Sequence, residues 1–243
     1  MIKAQFLIGS PVSFKKICRI YPPSVKDVVT NQDYSLYLKL LTFSQEEIED
    51  EFNEHGYDLS NLLTPFEYIF NNAYHSPQFK QLLFDAFMFF THETVYLLFE
   101  QKQIIMGDLT GVKSMDELRV LKEEDYFEFQ NLIRMSVGSP AIEPPHPNED
   151  PRVKAIKAKA RYRDKIKAKQ GKNLTLETIL ASICCMDLGL NPLNIGELSY
   201  AAIPALMARY QEKEKYGLDI DSLLAGADSK KIKPKYWIRN LED

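Results

Sequence analysis

Residues 139–151 read Ser-Pro-Ala-Ile-Glu-Pro-Pro-His-Pro-Asn-Glu-Asp-Pro, with prolines at 140, 144, 145, 147 and 151. Each proline pushes the residue before it out of helical geometry, so no helix can run through this strip and a semi-rigid, extended spacer is expected. Pro151 also suits the first turn of a following helix, with Asp150 as its N-cap. That helix is strongly cationic: residues 152–172 carry ten Lys and Arg against one Asp, a net charge of +9. The part before it, 1–151, is net −11 and the part after it, 173–243, is net −2. Charge and proline together divide the chain into an acidic unit at 1–138, a Pro-rich linker at 139–151, a basic helix at 152–172 and a small helical unit at 173–243. The cationic segment is expected to separate independently packed ends.

Local patterning gives the elements on each side. Ala4–Ile8 and Val12–Tyr21 are β-prone and flank Gly9-Ser10-Pro11, which predicts an N-terminal hairpin that Pro22-Pro23 terminates. Ser24 is placed to cap a helix carrying Val25, Val28, Val29, Tyr34, Tyr37, Leu38 and Leu41 at helical spacing. Ser44-Gln-Glu-Glu47 has the form of a capping box and opens a short acidic helix to His55-Gly56. Apolar helices are expected at Leu62–Tyr74 and Gln78–Phe90, broken at Ser76-Pro77. A second hairpin pairs Val95–Phe99 with Ile104–Met106. A second capping box, Ser114-Met-Asp-Glu117, predicts a helix through Tyr126, Phe129 and Ile133 to Gly138. Behind the linker, helices are expected at Thr175–Met186, at Ile195–Tyr216 with a break or start at Pro204, and at Asp219–Ala225. The order gives a mainly helical α+β fold: an N-terminal domain of small antiparallel hairpins plus helices, a Pro-rich linker, a basic helix and a small all-α C-terminal domain. Tyr and Phe concentrated in the first 130 residues supply its core.

Few residues are arranged for chemistry. Cys18, Cys184 and Cys185 are an odd set without metal-ligand spacing and read as small hydrophobes of a reducing compartment. His55, His75, His92 and His146 fall on separate elements, so no zinc site is expected. The chain has no Gly-x-Ser-x-Gly elbow, no Gly-x-Gly-x-x-Gly turn and no Walker loop. The carboxylates of Glu46–Glu51 read as the solvated face of a short helix. Asp219, Asp221 and Asp228 lack the glycine and terminal Glu of a calcium loop. The expectation is a protein with no catalytic residues, no metal and no cofactor, placed in the cytoplasm and without a membrane span.

Two segments stand out for binding. On the basic helix, Ala155, Ala158, Tyr162 and Ile166 form a narrow apolar stripe flanked by Val153, Ile156 and Ala160, and the other faces are cationic. Arg152, Lys157, Arg161 and Lys165 are the candidate contact residues. They can neutralise nucleic-acid phosphates, lie on an acidic protein surface that includes the chain's own front half, or simply be solvated. At the C-terminus, Tyr236, Trp237 and Arg239 are residue types that dominate protein contacts, and Trp237 can equally close the small second domain.

The closing block Leu223-Leu-Ala-Gly-Ala-Asp-Ser-Lys-Lys-Ile-Lys-Pro-Lys-Tyr-Trp-Ile-Arg239, with Ile8-Gly-Ser-Pro-Val and Ile20-Tyr-Pro-Pro-Ser-Val at the other end, resembles proteins of the tail-gene region of phages and prophages of Gram-positive bacteria. The layout is similar to that of the tail assembly chaperones of long-tailed phages. The resemblance implies a folded N-terminal domain joined to a C-terminal extension that recruits tape-measure and tail-tube proteins. A non-enzymatic assembly factor is therefore expected. A structural subunit of tail, baseplate or neck, located in the virion, is the alternative, and a nucleic-acid-binding protein using the basic helix is the next.

Overall fold

The computed structural model describes residues 2–55, 62–110, 114, 117–142, 150–169, 174–186, 188–228 and 231–238, and within 151–169 the side chains at 151, 154, 155, 158, 164, 165 and 167–169 lie outside the description. Among the described residues there are ten α-helices and two small antiparallel sheets, the mainly helical α+β class expected.

The chain opens with a helix, α1 (Ile2–Leu7), where a strand was expected. Only Phe6 of this helix is buried, while Leu7 and Ile8 remain in solvent, so the alternation that a strand needs is absent. Gly9 at φ +76° closes it, with Ser10 N–H donating to the Gln5 carbonyl at 2.9 Å. The hairpin lies entirely inside the next apolar run, β1 (Val12–Phe14) against β2 (Cys18–Ile20), with Val12, Phe14, Cys18 and Ile20 facing inward.

The helix predicted after Ser24 is two, α2 (Val25–Thr30) and α3 (Tyr34–Thr42). The side chain of Asn31 accepts from Asp33 N–H at 2.9 Å, a local turn that competes with helical pairing. Ser44 and Glu47 close the predicted capping box of α4 (Gln45–His55), and Gly56 lies outside the described residues. Thr64 and Glu67 form the same box at α5 (Pro65–His75), and Ser76 caps α6 (Pro77–Thr91).

The second hairpin forms as expected, β3 (Val95–Leu98) with β4 (Gln103–Met106), and gains a third strand, β5 (Arg119–Leu121). The helix expected from Ser114 begins only at Glu123, as α7 (Glu123–Ser136). Pairing of Leu121 with Ile104, both fully buried, decides for strand at these three residues. Phe14, Phe66, Phe70, Phe87, Phe90, Tyr126 and Phe129 fill the core between these elements.

The basic helix is α8 (Pro151–Lys169). Arg152 N–H donates to Asp150 Oδ1 at 2.8 Å, the expected cap. It is followed by α9 (Leu176–Cys184), a 3-10 turn at Ile195–Glu197 and one long helix, α10 (Ala202–Leu224). The expected separate helix at Asp219–Ala225 is the last two turns of α10, because Gly217 keeps helical geometry within it.

The two ends are not independently packed. Val25 N–H donates to the Leu198 carbonyl at 2.8 Å, Tyr200 N–H to the Pro23 carbonyl at 2.9 Å, and the buried Ser199 Oγ to the Phe6 carbonyl at 2.7 Å. Val25 packs with Ile183, Met186, Ile195 and Ile203, and Ala201 enters the main core. The 195–203 segment therefore completes the front half, which no local pattern in either segment announces.

Candidate partner-binding surface

Helix α4 is polar on one side because successive Glu and Asp residues leave only Ile48 fully buried. Its first turn is fixed by the Ser44–Glu47 box, and Glu51 accepts a hydrogen bond from the Tyr68 hydroxyl at 3.2 Å. Burial, with Glu51 adding to it, pushes the Tyr68 phenol up to about 12. Two further carboxylates of α4, Glu46 and Asp50, are one helical turn apart. Arg161 of α8 pairs with both, donating from Nη1 to Glu46 and from Nε to Asp50 Oδ2 at 3.3 Å.

Of the readings open for Arg161, the contact matches the acidic surface of the chain's own front half, its side chain being 24% exposed between two carboxylates. The acidic helix, in turn, is not wholly solvated. The sequence reading missed this contact; the signal that could have found it is the i, i+4 spacing of Glu46 and Asp50, which places both on one side of α4. Lys157, one turn before Arg161, is half-buried. Arg152 is exposed, and the Lys165 side chain lies outside the described residues.

The large apolar side chains described on α8 face solvent. Ile156 is 68% exposed and Tyr162 is 65% exposed, with Val153 and Ile166 also in solvent. Ala155 and Ala158, the other members of the expected stripe, lie outside the described side chains. At 100° per residue, Arg152, Ile156, Lys159, Arg163 and Ile166 fall within one narrow strip opposite Arg161, and all five are exposed. Among the described side chains, the helix thus turns Arg161 toward the front half and a mixed cationic and apolar strip away from it.

Beside the Arg161 contact is a cavity of about 270 Å³, enclosed by the N-termini of α4, α5 and α7. Phe66, Tyr126 and Ile142 supply apolar wall, and Glu46 and Glu123 stand at its edge, the latter accepting from Thr64 Oγ1 at 2.7 Å. Its volume falls below the range of about 300–1,000 Å³ common for drug-sized ligands.

At the other end of the molecule, Arg209 of α10 donates to the Trp237 carbonyl at 3.0 Å, and Tyr236 meets Tyr216 edge to face with centroids 5.6 Å apart. Trp237 is half-buried and Tyr236 exposed, beside exposed Lys231, Lys233 and Lys235. The described tail is laid back along α10, with Lys233 and Lys235 beside Glu212 and Asp219. Arg239 lies outside the described residues.

Among the described residues no group of three or more His, Cys, Asp or Glu is placed to hold a metal. No described helix is long and apolar enough to cross a membrane. Burial pushes the Cys18 thiol up to about 12, with Glu93 adding to the shift and Arg119 opposing it. Only the thiolate alkylates at a useful rate, so iodoacetamide at pH 8 is expected to label the exposed Cys185 and leave Cys18 unmodified until the protein unfolds, as read by peptide mass spectrometry. Labelling of Cys18 as fast as Cys185 would contradict the packing of the first hairpin.

No curated protein and no solved structure matches the chain. Residues 167–242, from the last turn of α8 through α9, α10 and the tail, are similar to the family described as YomV second domain, which is a phage-derived domain family.

Proposed function

We propose that the protein is a non-enzymatic assembly factor of a phage tail, an adaptor of the tail assembly chaperone kind that holds tape-measure or tail-tube proteins. The observation that carries this reading is the outward strip of α8, where three exposed cations alternate with two exposed apolar side chains on a helix flanked by folded parts. Mixed strips of this kind suit a protein surface, since apolar contacts supply affinity and the cations steer and orient. The similarity of the last third to a phage-derived domain supports the setting. Tyr236 and the lysines beside it offer a second contact at the far end of α10. A permanent structural subunit of the tail is the second reading, favoured by the hydrogen-bonded packing of residues 198–200 on residues 6 and 23–25, which makes a fixed building block of the two ends.

The test is co-purification from cells expressing the neighbouring tail genes. The chain is expected to bring down the tape-measure or tail-tube protein, and the triple variant Arg152→Glu, Lys159→Glu, Arg163→Glu is expected to lose it. Melting of the variant should stay within the shift produced by about 0.5 kcal/mol, because these side chains are exposed. No co-purified tail protein with the wild type removes the adaptor reading, and stoichiometric presence in washed mature particles replaces it with the structural one.

A further inference from the structure

The α8 contact with the front half has the composition of an exchangeable contact. Among the described side chains its anchors are ionic, Arg161 with Glu46 and Asp50, while Val153, Ile156, Tyr162 and Ile166 stay in solvent. Ion pairs at a water-accessible surface are weak and screened by salt. The chain just before this helix is fixed differently. Asn131 exchanges hydrogen bonds with Ile142, accepting from its N–H at 2.7 Å and donating to its carbonyl, and Arg134 Nε donates to the Pro140 carbonyl at 2.9 Å. The proline strip is thus pinned to α7 as far as Ile142, whereas the described anchor of the helix that follows is the Arg161 ion pair.

The contact also has a definite shape. Glu46 and Asp50 sit one turn apart on α4, and the planar guanidinium of Arg161 spans them, a match of fork to paired carboxylates that a lysine cannot reproduce. The front half is net −11 and the 152–172 segment net +9, so the arrangement satisfies in cis a charge pattern that an acidic partner can satisfy in trans.

We infer that α4 is a built-in stand-in for a partner of α8: the Arg161 face of α8 takes an acidic helix presenting two carboxylates one turn apart on a partner protein, and Glu46 and Asp50 hold that face closed until such a helix displaces them. The inference rests on the adaptor reading and names the chemistry of one partner and the regulation of its site. It assigns the two sides of α8 different work, the outward strip open at all times and the inward face masked.

The probe is a synthetic, acetylated and amidated peptide of residues 44–55, which carries the Glu46 and Asp50 pair in its own sequence context. Binding to the full chain is measured by fluorescence anisotropy at low salt. The double variant Glu46→Gln, Asp50→Asn is expected to bind the peptide at least about tenfold more tightly than the wild type, equivalent to about 1.4 kcal/mol of masking removed. Adding Arg161→Glu to that variant is expected to abolish binding, Arg161→Lys to restore part of it, and added salt to weaken it steeply. A donor on α4 and an acceptor on α8 of the wild-type chain supply a second reading that needs no destabilising variant: saturating peptide should lower the energy transfer between them. Equal affinity of wild type and double variant, or energy transfer unmoved by peptide, overturns the inference. So does a DNA duplex that binds the double variant as tightly as the peptide at the same salt, which would make the inward face a phosphate site. Tail-protein co-purification is scored separately, so peptide exchange without it retires the adaptor reading and leaves the masked face standing.

Discussion

Replacing Phe129 with alanine is expected to remove about 3–5 kcal/mol of folding stability. The ring is fully buried on α7 and meets three others: Phe87 of α6, stacked at 5.5 Å, Tyr126 one turn earlier, stacked at 6.1 Å, and Phe14 of the first hairpin, tilted at 5.9 Å. One side chain therefore joins three elements from the start, middle and end of the front half. Truncation leaves a void that rings fixed on separate elements cannot collapse into, and it deletes aromatic pairs worth about 0.5–1.5 kcal/mol each beyond area burial. Against a typical stability of about 5–15 kcal/mol, that is a large fraction of the total. Urea denaturation should show the midpoint falling without loss of the slope. A change under about 1 kcal/mol would show that Phe129 is not at the centre of the core. Tyr126→Phe is the matching control. The Tyr126 hydroxyl is buried and finds no partner within hydrogen-bonding geometry among the described residues. Removing that hydroxyl should therefore be near neutral or slightly stabilising.

What was legible in the sequence divides along the range of the interaction. The Ser44–Glu47 box, the Ser76-Pro77 break, the Asp150 cap and the second hairpin are decided within a few residues, and they stand where the sequence places them. The same local signal failed at Ser114–Glu117, because Leu121 gains more from pairing with Ile104 across the sheet than from extending a helix. α1 misled for the opposite reason, since its only core contact is Phe6 and β-prone composition had no sheet to join. The candidate surface followed this rule as well. A basic helix with exposed Ile156 and Tyr162 is written in its own residues, but the choice of Arg161 as the residue that turns inward is made by Glu46 and Asp50, more than a hundred positions away. Charge totals said that the two segments attract, and only the backbone geometry of α4 says which carboxylates are in reach.

The joint between the ends supplies the second large effect, at Gly138. This residue ends α7 at φ +76°, with its N–H and that of Ser139 donating to the Met135 and Arg134 carbonyls. A left-handed conformation costs a non-glycine residue about 1–2 kcal/mol. A Cβ here would also stand 2.9 Å from the Ala201 carbonyl oxygen and 3.0 Å from Pro204 Cγ, at the start of α10. The carbonyl is backbone and cannot swing aside, so Gly138→Val should add overpacking of about 1–3 kcal/mol, for a total of about 2–5 kcal/mol. The strain is local, whereas the clash pries the 198–203 segment away from Phe6, Pro23 and Val25. Hydrogen exchange should then show the amides of Val25 and Tyr200, which donate across the joint, losing protection while those of β4 keep theirs. Gly226→Val separates the two causes, because Gly226 has φ +94° and nothing within 4 Å of an added Cβ. It should cost the strain alone and leave the joint closed. Equal losses at the two glycines would mean that residues 198–203 do not bear on the end of α7, and that the halves of the molecule move as separate bodies around α8.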